Sequence, residues 1–178
     1  MEMNGTRQIA APREMVWAAL NDPEVLKAAI SGCEELTGTP EEGFEARVKQ
    51  KVGPVSATFQ GRVQLSDIVP ETSYTISGEG KGGAAGFAKG SAAVALADSE
   101  GGTLLSYQVN AHVGGKLAQI GSRLIDGFAR KMADGFFDNF QAAVEPAPEP
   151  VEGAAEATEG ETTAGKQPGW FRRVIGRK

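Results

Sequence analysis

The sequence predicts an α+β fold in which a curved antiparallel sheet grips one long C-terminal helix. Three observations carry that expectation. From residue 42 to residue 112 apolar and polar side chains alternate, as on strands with one buried and one wet face. From about Gly115 to Val144 the apolar spacing changes to three and four, as along one face of a helix. Two short helical patterns separate the first strand from the rest.

Residues 3–11 read as a short strand. Pro12 suits a first helical turn, and Met15, Val16, Trp17 and Leu20 supply an apolar side. Asn21-Asp22-Pro23 closes that helix and opens another, with Asp22 as N-cap and Val25, Leu26 and Ile30 as its apolar side. Ser31-Gly32-Cys33 ends it. Phe44, Ala46, Val48 and Val52 then share one parity, and after the Gly53-Pro54 turn so do Val55, Ala57, Phe59, Val63 and Leu65. Further strands begin at Tyr74, Phe87 and Thr103. The helix that follows carries Leu117, Ile120, Leu124, Phe128, Met132, Phe136 and Phe140. About 30 residues of helix run roughly 45 Å, so this element needs a partner of similar length. A sheet that covers it must curl, and the short helices then plug one open end. Periodicity alone leaves open whether the enclosed volume is filled or is a pocket.

At 178 residues the chain has room for one domain with appendages. The formal net charge of -5 argues against nucleic acid as a partner. A single cysteine excludes an internal disulfide and fits a reducing cytoplasm. The opening MEMNGTRQIAAP lacks a basic segment followed by an apolar run, so no secretory signal is expected there. No apolar window of about 18 residues exists, so contact with a membrane would be peripheral.

Gly78, Gly80 and Gly83 match G-x-G-x-x-G in form. A dinucleotide loop needs a helix directly after the last glycine, and here a strand pattern follows, which favours a hairpin connection. The same run matters in another way. Glycine and alanine along Gly78–Ala93 thin the lining of any enclosed cavity and leave room for a bulky flat ligand. His112 has the parity opposite to Leu105 and Tyr107 and is expected to face solvent. Cys33 and His112 have no partners at metal-site spacing, so no metal is expected, and Cys33 is expected to pack as a small apolar residue. No nucleophile elbow, P-loop or HExxH pattern is present.

Residues 145–168 hold six glutamates and one lysine, and residues 169–178 hold four cations and no acid. On a helical wheel Trp170, Phe171, Val174 and Ile175 fall opposite Arg172, Arg173 and Arg177, with Lys178 at the end. That pattern suits an anionic membrane surface, at about 1 kcal/mol per cation. An amphipathic end also fits a protein groove. A spacer of about 24 residues has a root-mean-square reach of roughly 25–30 Å, so such an attachment would be reversible and long-leashed.

The segments APREMVWAALNDPEVLKAAISGCEEL (11–36), VGPVSATFQGRVQL (52–65), YTISGEGKGGAAGFAKGSAAVAL (74–96) and GGKLAQIGSRLI (114–125) resemble the CoxG family of carbon monoxide dehydrogenase proteins over about residues 1–144. That resemblance implies a START-like or Bet v 1-like helix-grip fold of the SRPBCC superfamily, with an apolar cavity. It also implies a non-catalytic accessory role beside a molybdenum carbon monoxide dehydrogenase or a homologous hydroxylase, peripheral on the inner face of the cytoplasmic membrane. An isoprenoid quinone, menaquinone or ubiquinone, is the cargo that makes physical sense for an enzyme that must dispose of electrons.

The expected organisation is a helix-grip domain over 1–145, an acidic linker over 146–168 and a basic amphipathic end over 169–178. Expected cavity residues are Phe44, Val48, Phe59, Val63, Ile76, Phe87, Tyr107, Leu117, Ile120, Gly121, Leu124 and Phe128. Phe87 requires a bulge, because its parity conflicts with Val94 and Leu96. Gly121 would let a ligand ring approach the helix. Two other readings remain: an enzyme of the cyclase or hydrolase type, for which parity offers only Tyr107, Lys89 and Gln50 as polar lining, and a purely structural adaptor with a filled core.

Overall fold

Alternation of side chains produces seven strands, one more than expected, in one antiparallel sheet ordered β1-β7-β6-β5-β4-β3-β2. The computed structural model describes residues 1–147. The rest of the expected linker and the basic end at 169–178 lie outside the described residues. The elements are β1 (Glu2–Ile9), α1 (Arg13–Leu20), α2 (Pro23–Ala29), β2 (Cys33–Thr39), β3 (Gly43–Val52), β4 (Val55–Val69), β5 (Ser73–Lys81), β6 (Phe87–Ser99), β7 (Gly102–Gly114), α3 (Lys116–Gln119) and α4 (Ser122–Val144). A single 3-10 turn, Gly83–Ala85, lies between β5 and β6.

The strand that sequence reasoning missed is β2. It is an edge strand with a bulge between Cys33 and Glu35, and Leu36 is its one buried residue. With one apolar anchor it shows no period-two signal, and backbone pairing to β3 holds it in place. The second correction concerns the long helix. It is two helices, because Gly121 takes φ 96° between α3 and α4. That conformation is open to glycine and rare for other residues. The three-and-four spacing of apolar residues in the sequence runs straight through the break, so the pattern gave no warning of it.

Other local expectations hold. Asp22 accepts the backbone N–H of Glu24 at 2.9 Å, and Pro23 occupies the first position of α2. The Asn21 side chain donates to the Trp17 carbonyl at 2.8 Å and closes α1. Gly53, at φ 58°, makes the tight β3–β4 turn in which Val52 pairs with Val55.

Strand direction sorts the loops to two ends. One end holds the β2–β3, β4–β5 and β6–β7 turns and the C-terminus of α4. The other holds the β3–β4 and β5–β6 connections and the α3–α4 junction. The first end holds the larger buried core. Ile9, Val16, Leu105 and Phe140 are fully buried there, with Trp17 set edge-on to Tyr74 at 5.4 Å between centroids. Thr103 is fully buried as well, and its hydroxyl donates to the Ala11 carbonyl at 2.8 Å. The Asn139 side chain donates to the Ala29 carbonyl at 3.1 Å and ties α2 to α4. At the second end the core shrinks to a small cluster around Val52, Leu117 and Ile125.

Candidate functional site: an apolar cavity

Between sheet and α4 lies a cavity of two adjoining lobes, of about 530 and 500 Å³. Each lies within the roughly 300–1,000 Å³ typical of small-molecule sites. The lobes share Val48, Gly61, Val63, Ile76, Ala92, Val109, Ala129 and Met132 as common walls. One lobe extends toward Met1, Val52, Phe59, Leu117, Ile125 and Phe128. The other extends toward Leu20, Leu26, Ile30 and Leu36, under the short helices.

The cavity exists because two rows of the sheet lack side chains. In register, Ala46 pairs with Gly61, Gly61 with Gly80 and Gly80 with Ala88. In the next row Val63 pairs with Gly78, Gly78 with Gly90 and Gly90 with Ala111. The glycines differ in cause. A Cβ at Gly78 would sit 2.7 Å from the Arg62 carbonyl oxygen, and one at Gly90 2.9 Å from the Ala111 Cα, so close strand approach requires glycine at both. At Gly61 the nearest atoms would be 3.8 Å away, and at Gly80 4.0 Å, so the backbone would accept a side chain there. What glycine provides at those two positions is volume.

Of the residues expected to line the cavity, Phe44, Val48, Phe59, Val63, Ile76, Tyr107, Leu117 and Phe128 stand on its walls. Four do not. Phe87 is 38% exposed on the outer face of β6, beside His112 at 6.3 Å between ring centroids, because no bulge intervenes to reverse its parity. Leu124 is 52% exposed, since the Gly121 break turns α4 so that Ile125 points inward instead. Ile120 is half-buried against the Leu117 cluster, outside the walls. Gly121 has no atom within 4 Å of where a Cβ would lie and faces open space. His112 faces outward as expected.

Sequence reasoning missed much of the helix-covered lobe, including Leu20, Leu26, Ile30, Leu36, Phe136 and Phe137. Their amphipathic periodicity was visible, but periodicity reports only that a face is buried, not that space remains beside it. Met1 was also missed; its ammonium group donates to the Ala111 carbonyl at 3.0 Å and draws the side chain over the first lobe.

Polar residues along the walls are Gln50, Glu79, Lys89, Ser91 and Asn110 in the first lobe and Ser31, Tyr74 and Tyr107 in the second. Tyr107 stacks on Phe137 at 5.2 Å, and the Arg7 guanidinium lies 5.4 Å from that same Phe137 ring while pairing with Asp134. The Gln50 side chain donates to the Ser31 carbonyl at 2.5 Å. Burial holds the Tyr74 phenol well above its ordinary range, so it stays neutral. Burial also raises the Cys33 thiol, against the opposing charge of Lys27 and a bond to the Glu35 carbonyl. Among the described residues no cluster of three or more His, Cys, Asp or Glu side chains is placed to hold a metal ion, and no helix is long and apolar enough to cross a membrane.

Solved structures share this architecture. A conserved protein of Geobacillus kaustophilus is 30% identical, with a TM-score of 0.75 over 81% of this chain and 95% of its own. A Chromobacterium violaceum protein is 17% identical, with a TM-score of 0.61 over 82% and 99%. Ara h 8.0201 is 14% identical, with a TM-score of 0.57 over 81% and 97%, and identifies the fold as Bet v 1-like. A search of curated proteins gives no match. Residues 5–145 match the family model of CoxG, a carbon monoxide dehydrogenase subunit, and the chain accordingly belongs to the CoxG family.

Proposed function

We propose that the protein is a non-catalytic carrier that shelters an isoprenoid quinone, or a similar prenyl lipid, and links a molybdenum carbon monoxide dehydrogenase or homologous hydroxylase to the membrane quinone pool. The observation that carries this reading is the floor at Gly61 and Gly80, where smallness serves no backbone purpose and leaves room for a flat, apolar guest. Two adjoining apolar lobes suit a ring followed by a folded prenyl chain. The family name ties the chain to carbon monoxide dehydrogenase. The basic amphipathic end at 169–178, by its sequence, would return the carrier to the inner face of the cytoplasmic membrane.

Organic extraction of protein made in a quinone-containing host, followed by mass spectrometry, tests the cargo. A prenyl quinone near one equivalent is expected; recovery of no quinone or other lipid counts against the carrier. Liposome flotation with and without residues 169–178 tests attachment, and equal flotation of both forms sinks the anchoring role of that segment.

A further inference from the structure

The turns at the two ends of the folded body differ in charge. At the end capped by the short helices, the turns and strand termini present Glu41, Glu42, Asp67, Glu71, Asp98 and Glu100 to solvent. At the other end the three segments 51–56, 81–88 and 112–125 contain no acidic residue, although Glu79 and Asp126 flank them and Glu2 opens the neighbouring β1. They present Lys51, Lys81, Lys116 and Arg123, all exposed. Lys81 pairs with Glu79 at 3.3 Å, whereas no ion pair among the described residues involves Lys51, Lys116 or Arg123. The N-terminus of the 23-residue α4 lies at this same end and adds positive potential.

Large apolar side chains are exposed among those cations. Leu124 is 52% and Phe87 38% exposed. The tip of the β3–β4 turn adjoins Leu124 and Ile120, since a Cβ on Gly53 would lie 3.7 and 4.0 Å from their Cδ1 atoms. Behind this surface is the thinner of the two cores, around Val52, Leu117 and Ile125, and then the first cavity lobe. Exposed apolar side chains at the same end as unpaired cations are what an anionic bilayer surface attracts. Acidic turns at the far end would be repelled by it.

We infer that the folded body docks on an anionic lipid surface by this end, with Leu124 and Phe87 inserted and Lys51, Lys116 and Arg123 over the headgroups. The acidic end then faces away from the bilayer. This deepens the carrier reading by giving the body its own lipid contact and orienting the first lobe toward the acyl chains, and it does not depend on the identity of the cargo or on residues 169–178.

The test is hydrogen exchange of the full chain with vesicles of phosphatidylcholine containing phosphatidylglycerol, compared with phosphatidylcholine alone. Slowed exchange is expected across 51–56, 83–88 and 112–125 on the anionic vesicles only. At about a fivefold change in binding constant per cation, Lys116→Glu/Arg123→Glu is expected to weaken vesicle affinity by at least about 25-fold and to abolish that protection. Leu124→Gln, a change at an exposed site, is expected to reduce it without loss of fold. Lys27→Glu/Lys131→Glu makes the same change in net charge elsewhere and should leave it intact. Vesicle binding with no protection at this end, equal protection on neutral vesicles, or equal loss in the Lys27/Lys131 variant would each overturn the inference. None of these readouts involves the cavity's contents, so failure of the cargo proposal is seen separately, in the extraction experiment.

Discussion

Gly61→Leu asks directly whether the cavity is open in solution. Gly61 lies at the waist shared by both lobes, on a strand backbone that any residue can adopt, with its nearest potential Cβ contacts 3.8 Å away. Replacing glycine within a strand gains about 0.5–1 kcal/mol of backbone entropy. Burying a leucine side chain adds about 1.5–3 kcal/mol, offset by about 0.5–1 kcal/mol of lost rotamer freedom. The net is a stabilisation of about 1.5–3 kcal/mol. For a domain of this size that raises the melting temperature by roughly 3–12 °C. The same side chain divides the lobes and should exclude a long guest, so quinone recovered on extraction should fall at least about tenfold. If the core were filled, the added side chain would overpack it and cost about 1–3 kcal/mol. Calorimetry or circular dichroism on lipid-free protein reads the sign. A lower melting temperature, or full quinone content in the variant, refutes the open cavity as the binding site.

Two further changes test local features. Gly121→Ala should destabilise by about 1–3 kcal/mol in urea unfolding, because φ 96° strains any side chain even though nothing crowds the site; a stabilised variant would mean that α3 and α4 fuse into one helix. The Tyr74 phenol is neutral and buried, with its folded value raised above the ordinary value of about 10. Its contribution is therefore complete below about pH 10 and is lost as pH rises further. Tyr74→Phe should shift the alkaline unfolding midpoint upward, and an unchanged midpoint would show that Tyr74 does not govern alkaline unfolding.

Strand parity carried most of the cavity into view from the sequence alone. It located Phe44, Val48, Phe59, Val63 and Ile76 on one face, and the structure keeps them together on the walls. It also warned against Phe87, whose outward position follows from its register with Gly114. What parity cannot report is the break at Gly121. A helical wheel drawn through 115–144 runs one apolar stripe through Leu117, Ile120 and Leu124, whereas α4 starts afresh after Gly121 and turns Ile125, not Leu124, toward the core. Strand β2 escaped for a different reason, since an edge strand with one buried anchor is defined by its hydrogen-bonding partner and not by its own pattern.

The division of the core explains how such a body can be both stable and open. Its largest fully buried apolar side chains, Ile9, Val16, Leu105 and Phe140, cluster under α1 and the end of α4, where the turns are acidic. Truncating a fully buried phenylalanine there would cost about 3–5 kcal/mol, a large share of the 5–15 kcal/mol that holds a typical domain. Around Val52, Leu117 and Ile125 much less is buried, and the helix that covers this end is interrupted at Gly121. Local opening is therefore easiest at the end that is basic, partly apolar on its surface and adjacent to the first lobe. A guest entering there would leave the larger core intact. The larger core and the smaller one lie at opposite ends of one sheet, and the turn charges differ between the same two ends.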